Sequence, residues 1–435
     1  MKIHKTLLRV LFFYIAFTAM FVGVFAQSSI SSPYSRFGMG ELAPQYNLRS
    51  SAMGGISQGI LNPTMVNFAN PASYAAFDSL SFLFDFGITG TFKNLKSEGD
   101  KSRHSTASVN HLTIGMPIVK RWRTALGLVP VSSIGYDIHK NVKADEYQIG
   151  EEWGGEEWGN VSYRYTGDGA YYKAFWGNSF KISKNIAIGL NAGYMFGNST
   201  YTRMVSFDTL TVRTTKITNQ IFANGFIFEP AVQCQMFLSP KEKITIGATY
   251  QIQSRIKAEN NRMVRTMFGE DGNRPDTITI DIIKGNMTIP TSLKTGLSYE
   301  LTGKLLVGAD FYWTNMSQYG MLGQNDSISN NWGISIGGEL VPSVKTSAKY
   351  FQKVTYRAGF KTQQSLFNFD GEKINLYAVT FGMGLPIARS KTMINIYVEG
   401  GMKGKTSNHL IQENYFKIGA GLSLHEMWFY KRQYR

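Results

Sequence analysis

The chain has a single cysteine, Cys234, in 435 residues. That rules out an intramolecular disulfide framework. It also rules out lipid attachment at an N-terminal cysteine, because Cys234 lies far from the start of the chain. Proline is scarce, with 12 residues, while Gly, Tyr and Phe are plentiful at 44, 23 and 29. That balance does not suit a disordered chain. After Ala26 no window offers ~18 consecutive apolar residues, so no transmembrane helix is expected in the body of the protein. The signatures of enzymes are missing too. The six histidines (His4, His104, His111, His139, His409 and His425) form no His-Glu-x-x-His motif. Gly-x-Ser-x-Gly occurs at Gly55–Gly59 and at Gly333–Gly337. The first match lies in an irregular segment and the second inside a predicted strand, so neither supplies the strand-to-helix turn of a nucleophile elbow. Gly404-Lys405-Thr406 ends like a phosphate loop, but Glu399 stands where that loop needs glycine. No catalytic residue, metal site or cofactor is expected.

The N-terminus begins basic, with Lys2, Lys5 and Arg9, continues apolar from Val10 to Phe25 and ends on Ala26. This is the pattern of a secretory signal peptide over residues 1–26, and its apolar run is short for a spanning helix. Removing Lys2, Lys5 and Arg9 from the formal +15 leaves +12. A basic exported protein is expected to meet anionic lipid headgroups. No zinc-knuckle, helix-turn-helix or basic-zipper pattern supports nucleic acid.

From about Leu80 the chain alternates with a period of two over long segments. Ile244, Ile246, Ala248, Tyr250 and Ile252 are interleaved with Thr245, Gly247, Thr249 and Gln251, and Phe416, Ile418, Ala420, Leu422 and Leu424 with Lys417, Gly419, Gly421 and Ser423. Alternate side chains of a strand face opposite ways, so each segment has one apolar face and one polar or small face. The segments have the ~9–11 residues or more that a tilted strand needs to cross a bilayer. Aromatics such as Trp122, Tyr194, Trp313, Trp332 and Trp428 cluster near segment ends, as in the interfacial girdles of a barrel. Fourteen such strands can be counted. Short turns after even-numbered strands and longer polar loops after odd-numbered ones predict an all-β, single 14-stranded antiparallel transmembrane barrel over residues 79–435, in the bacterial outer membrane with both termini periplasmic. Two departures stand out. The connection 342–352 is long for a periplasmic turn. The loop 259–286 has room for a hairpin of its own, from Arg262 to Phe268 and from Asp276 to Ile283.

Residues 27–78 break the alternation with many glycines and prolines and little charge, and read as a plug inside the lumen, where protein and water satisfy irregular backbone. Asn70-Pro71 is expected to fix the turn that ends it. Pro130 lies inside a predicted spanning strand, where proline removes a ladder hydrogen bond. Two readings remain open there: a lateral opening in the wall, or a bulge near the membrane rim. Glu151-Glu152-Trp153-Gly154-Gly155-Glu156-Glu157-Trp158-Gly159 reads as a solvated acidic loop with two aromatic anchors. Binding of Ca²⁺, or bridging to the cations of lipopolysaccharide, is the alternative.

Ser51-Ala52-Met53-Gly54-Gly55-Ile56-Ser57 followed by Asn67-Phe68-Ala69-Asn70-Pro71-Ala72, leading directly into the first strand, resembles the hatch of the FadL/TodX family of outer-membrane transporters. Gly127-Leu128-Val129-Pro130-Val131 resembles the Pro-containing segment of that family's third strand, and Ser32-Pro33-Tyr34-Ser35-Arg36-Phe37-Gly38 resembles its members from Bacteroidetes-type bacteria. The resemblance implies passive uptake of an apolar small molecule of the long-chain fatty acid or hydrocarbon type. Gly54, Gly55, Asn70, Pro71 and Ala72 would act in the gating hatch, and Pro130 at a lateral opening. The alternative is a structural or assembly subunit of a larger outer-membrane complex, with outer-membrane protein partners and no transport. A continuous apolar pocket between plug and wall would favour transport, and a lumen packed with charged pairs would favour the structural role.

Overall fold

The computed structural model describes residues 32–428, apart from 98–99, 144–158, 210–211, 269–272, 323–328, 346, 370–371, 389 and 408–409. The signal segment and the Glu151–Trp158 duplication lie outside the described residues.

Fourteen antiparallel strands close into one barrel. They are β1 (Ser81–Lys96), β2 (Lys101–Val119), β3 (Trp122–Val142), β4 (Val161–Lys181), β5 (Ile186–Phe207), β6 (Thr214–Ser239), β7 (Glu242–Gln251 and Ser254–Phe268), β8 (Asn273–Ile289 and Ser292–Leu301), β9 (Leu305–Thr314), β10 (Asn331–Leu340), β11 (Thr355–Phe369), β12 (Glu372–Pro386), β13 (Met393–Lys403) and β14 (Gln412–Met427). Closure comes from β14 pairing with β1, from Gln412 opposite Lys96 to Met427 opposite Ser81. Closure leaves no strand edge at the β14–β1 seam, as a bilayer requires.

The alternation runs inside out relative to a soluble protein. Ile246, Tyr250, Phe416 and Ile418 face outward and are exposed, while Thr245, Thr249, Tyr415 and Ser423 are buried in the lumen. Trp176, Phe226 and Phe381 join the apolar outer belt, which is a lipid-facing surface. Aromatic pairs stack near the short-turn end, with ring centroids 3.9 Å apart for Phe82–Trp428 and 5.8 Å for Trp122–Phe180.

Several strands exceed the span of a bilayer, and β6, at 26 residues, is the longest unbroken one among the described residues. The expected hairpin within 259–286 forms, with Arg262 opposite Asp281 and Thr266 opposite Asp276, but it is not separate. It continues β7 and β8 outward as one arm, because the strands resume across the breaks at 252–253 and 290–291. The connection 341–354 is long, as expected, and holds a short helix, Tyr350–Lys353.

Residues 32–78 occupy the lumen. They contain one α-helical turn, Leu48–Ser51, capped by Asn47, a 3₁₀ turn at Pro33–Arg36 and another at Pro71–Ala76. Met53, Ile56, Val66, Ala72 and Tyr74 are almost fully buried, so the protein's core lies where plug meets wall.

Candidate functional site

The plug is anchored to the wall by hydrogen bonds and ion pairs between residues far apart in sequence. Asp310 on β9 accepts from the backbone N–H groups of Ser57 (2.6 Å) and Gln58 (2.9 Å) through one carboxylate oxygen. Gln233 Nε2 donates to the Gln58 carbonyl at 2.6 Å, Ser298 Oγ to the Gly59 carbonyl at 2.6 Å, and Thr249 Oγ1 to Gln58 Oε1 at 2.8 Å. The approach is close enough that a Cβ on Gly247 of β7 would lie 1.9 Å from the Gln58 carbonyl oxygen. Lumen-facing glycine is therefore required where plug backbone touches wall backbone.

The residues singled out in the plug lie in this contact zone. Gly54 (φ +70°) and Gly55 (φ +98°) occupy the left-handed region that favours glycine. The Gly54 N–H donates to Thr380 Oγ1 at 2.8 Å. Asn70 caps the turn that begins at Pro71: its Oδ1 accepts from the Ala72 N–H at 3.0 Å, and its Nδ2 donates to the Gln58 carbonyl at 3.0 Å. The Ala72 carbonyl accepts from Ser179 Oγ at 3.0 Å. Asn70 and Ala72 are fully buried, and every contact named here is a packing contact within the chain.

Pro130 lies where the wall ladder stops. β2 and β3 pair only from Leu112 opposite Leu128 to Val119 opposite Trp122. Beyond Leu128 the free edge of β3 is taken up by the plug. Gln45 Nε2 donates to the Pro130 carbonyl at 2.7 Å, the Ala43 N–H to Val131 O at 2.9 Å and the Ser32 N–H to Gly135 O at 3.0 Å. A two-residue plug strand, Glu41–Leu42, pairs with Ser133 and Ser132. The β3–β4 register also shifts between Pro130 and Ser132. A register irregularity and the end of the β2–β3 ladder thus lie together at Pro130, and the plug covers the unpaired stretch of β3 from inside.

Around the plug the lumen is charged. Arg49 of the plug pairs with Glu339, its Nε 3.0 Å from Oε2, and Arg357 donates to the same oxygen at 3.1 Å. Lys361 meets Glu399 at 2.8 Å, Lys173 meets Glu229 at 2.9 Å and Lys93 meets Glu41 at 2.7 Å. Burial alone would raise the Glu41 carboxyl, but the ammonium groups of Lys93, Lys403 and Lys417 outweigh it and hold the group at about 2, below its usual 4.5. The lumen cavity measures about 290 Å³ and is lined by Met39, Tyr46 and Met195 beside Lys294, Lys361 and Lys417. Sequence reasoning missed these pairs. The charged residues appear singly on the polar faces of strands, and nothing local marks their partners. Among the described residues no cluster of His, Cys, Asp or Glu could hold a metal ion.

Comparison with solved structures gives the same architecture at low identity. The Pseudomonas putida toluene transporter TodX superposes with a TM-score of 0.57 at 17% identity, over 89% of this chain and 99% of that one. The Ralstonia pickettii toluene transporter TbuX gives 0.57 at 14%, over 88% and 98%. A Pseudomonas aeruginosa FadL homologue gives 0.56 at 11%, over 90% and 100%. These likenesses establish a plugged β-barrel fold. No curated protein matches the chain. The family model described as BamG matches residues 6–435, and the chain therefore belongs to the BamG family.

Proposed function

We propose that this protein is a closed, plugged barrel serving as a structural or assembly subunit of a larger outer-membrane protein complex, with both termini on the periplasmic side. The observation that carries this reading is the interior. The plug is held by Asp310, Glu339 and Lys93 through charged contacts. Moving it would strip Asp310 of its plug donors and take one partner each from Glu339, which keeps Arg357, and Lys93, which keeps Glu413, so displacement is opposed by lost buried charged contacts. The lumen cavity of about 290 Å³ is at the small end for a ligand site, and five lysines, Lys173, Lys294, Lys361, Lys403 and Lys417, stand within its mostly apolar lining. Membership of the BamG family accords with this reading. The test is to purify the full-length protein from its native membrane in mild detergent. Outer-membrane partners at fixed stoichiometry, with no fatty acid or hydrocarbon in the lumen, are expected. A solitary barrel with a bound apolar molecule would overturn the proposal.

A second reading is passive uptake of an apolar small molecule, with the plug as gate and lateral release at Pro130. The ladder gap above Leu112 and Leu128 and the fold shared with TodX and TbuX favour it. Gly54, Gly55, Asn70, Pro71 and Ala72 would then move with the plug. Cross-linking β2 to β3 across the gap is the direct test: unchanged uptake would remove the gate.

A further inference from the structure

The outer wall carries a second concavity that neither reading uses. On the lipid-facing side Val307, Gly338, Ala358, Phe381 and Val398 form one cross-strand row from β9 to β13, and Leu305, Leu340, Tyr356, Met383 and Ile396 form the row beside it. Gly338 and Ala358 are adjacent partners, and between larger neighbours they leave a hollow of about 610 Å³ in the apolar belt. The hollow is open along the wall, so it fits a chain laid in the surface rather than an enclosed molecule. An occupant of a lipid-facing hollow must be apolar over most of its surface.

Directly beyond the hollow, toward the short-turn end, lies the connection 341–354. It is tied to the hollow at two points. Tyr356, which lines the hollow, donates to the Phe351 carbonyl at 3.1 Å. The Val341 N–H donates to the carbonyl of Lys304, the residue before Leu305, at 2.8 Å. The connection presents Phe351, Val344 and Tyr350 to solvent, at 74%, 67% and 50% exposure. Side chains this apolar at a barrel rim belong in the membrane interface. Lys304, Lys345 and Lys349 are exposed beside them. The same rim carries Lys120, Arg121, Lys181, Lys184 and Lys241 at the other short turns, all exposed. An apolar slot, exposed aromatic side chains and exposed lysines thus lie on one stretch of wall and rim.

We propose that this surface is a binding site for one anionic phospholipid of the leaflet at the short-turn end. An acyl chain lies over Gly338 and Ala358, and the phosphate meets Lys304, Lys345 and Lys349. Charge complementarity selects the occupant, since lysines near a membrane surface attract anionic headgroups. The site rests on the barrel's spanning the membrane and is independent of whether the protein transports or assembles.

The test uses the full-length protein, delipidated in detergent and titrated with phosphatidylglycerol or with phosphatidylcholine of the same chains, with bound lipid counted by native mass spectrometry. The wild type is expected to hold one phosphatidylglycerol in clear preference to phosphatidylcholine. Ala358→Leu fills the hollow from a position that already carries a Cβ, and is expected to abolish that retention in a barrel that still shows heat-modifiable migration. The combined Lys304→Gln, Lys345→Gln, Lys349→Gln variant should weaken phosphatidylglycerol by roughly a hundredfold and phosphatidylcholine little, at about fivefold per lysine. Equal retention of the two lipids by the wild type would overturn the proposal. So would retention unchanged by Ala358→Leu, or loss of a protein partner from the native complex of that variant with lipid binding intact. Because lipid counting needs no partner, a failure here is distinct from a failure of the assembly reading.

Discussion

Replacing Asp310 by alanine isolates the anchoring of the plug. Its carboxylate accepts from two plug N–H groups, at 2.6 and 2.9 Å, and from Ser57 Oγ at 3.1 Å. Ser57 and Gln58 are buried at 4% and 1% exposure, so both donors are orphaned by the change. An unsatisfied buried donor costs about 1–3 kcal/mol, which sets a range of roughly 2–6 kcal/mol for the pair. Water entering the vacated space can satisfy one donor and brings the expected loss to about 2–4 kcal/mol. That is a rise of about 30- to 1,000-fold in the population of undocked plug. Thiol labelling reads this population directly. With Cys234→Ser removing the native thiol and Met53→Cys placing one at a site with no exposure, labelling requires the plug to leave. The labelling rate should rise by the same factor with Asp310→Ala, and by less with Asp310→Asn, which keeps an acceptor oxygen. Heat-modifiable migration verifies that the barrel is intact. A rate change under about threefold with Asp310→Ala would refute the anchoring argument.

Gly247→Ala places a Cβ 1.9 Å from the Gln58 carbonyl oxygen, and is expected to displace the plug while the barrel folds; a lumen-buried thiol such as that of Met53→Cys should then label rapidly. Gly54→Ala adds a left-handed backbone penalty of about 1–2 kcal/mol to a Cβ contact of 2.7 Å with the Phe360 carbonyl oxygen, and should lower thermal stability measured by gel shift. Arg357→Ala leaves Glu339 paired with Arg49 and is expected to cost about 1.5–3 kcal/mol, the range for a lost charged hydrogen bond, measured by urea unfolding in detergent. Acid should loosen the N-terminal part of the plug. The Glu41 carboxyl is depressed to about 2 from 4.5, so its contribution is fully present above pH 4.5 and is lost as pH falls from 4.5 toward 2. Limited proteolysis by an acid-active protease across that window should show it, and Glu41→Gln should flatten the response.

The barrel was legible in the sequence because its signal is local. The alternation of Ile246 and Tyr250 with Thr245 and Thr249 reports two faces of one strand, and fourteen repeats of it give the wall. Asn70-Pro71 announced its turn for the same reason, since the Asn70 side chain bonds two residues along. Pro130 marked the end of the β2–β3 ladder because proline cannot donate to it. The plug's seating was not legible. Asp310 and Ser57 are separated by 253 positions, and Arg49 and Glu339 by 290. Such pairings follow from barrel geometry and leave no trace in spacing. The segment 259–286 reads in the sequence as a charged loop with room for a small hairpin, and its continuity with β7 and β8 is not legible because Glu259, Arg262, Arg265 and Asp281 interrupt the alternation; above the bilayer both faces of a strand can be polar.

Uptake by the intact protein tests the central claim, that the plug is a fixed part of a closed barrel, most directly. Cells whose outer membrane lacks any other channel for long-chain fatty acids would express the full-length chain, and entry of labelled oleate would be followed. The account predicts uptake equal to that of cells without the protein. Saturable uptake that stops when β2 and β3 are cross-linked across the gap at Pro130 would contradict it.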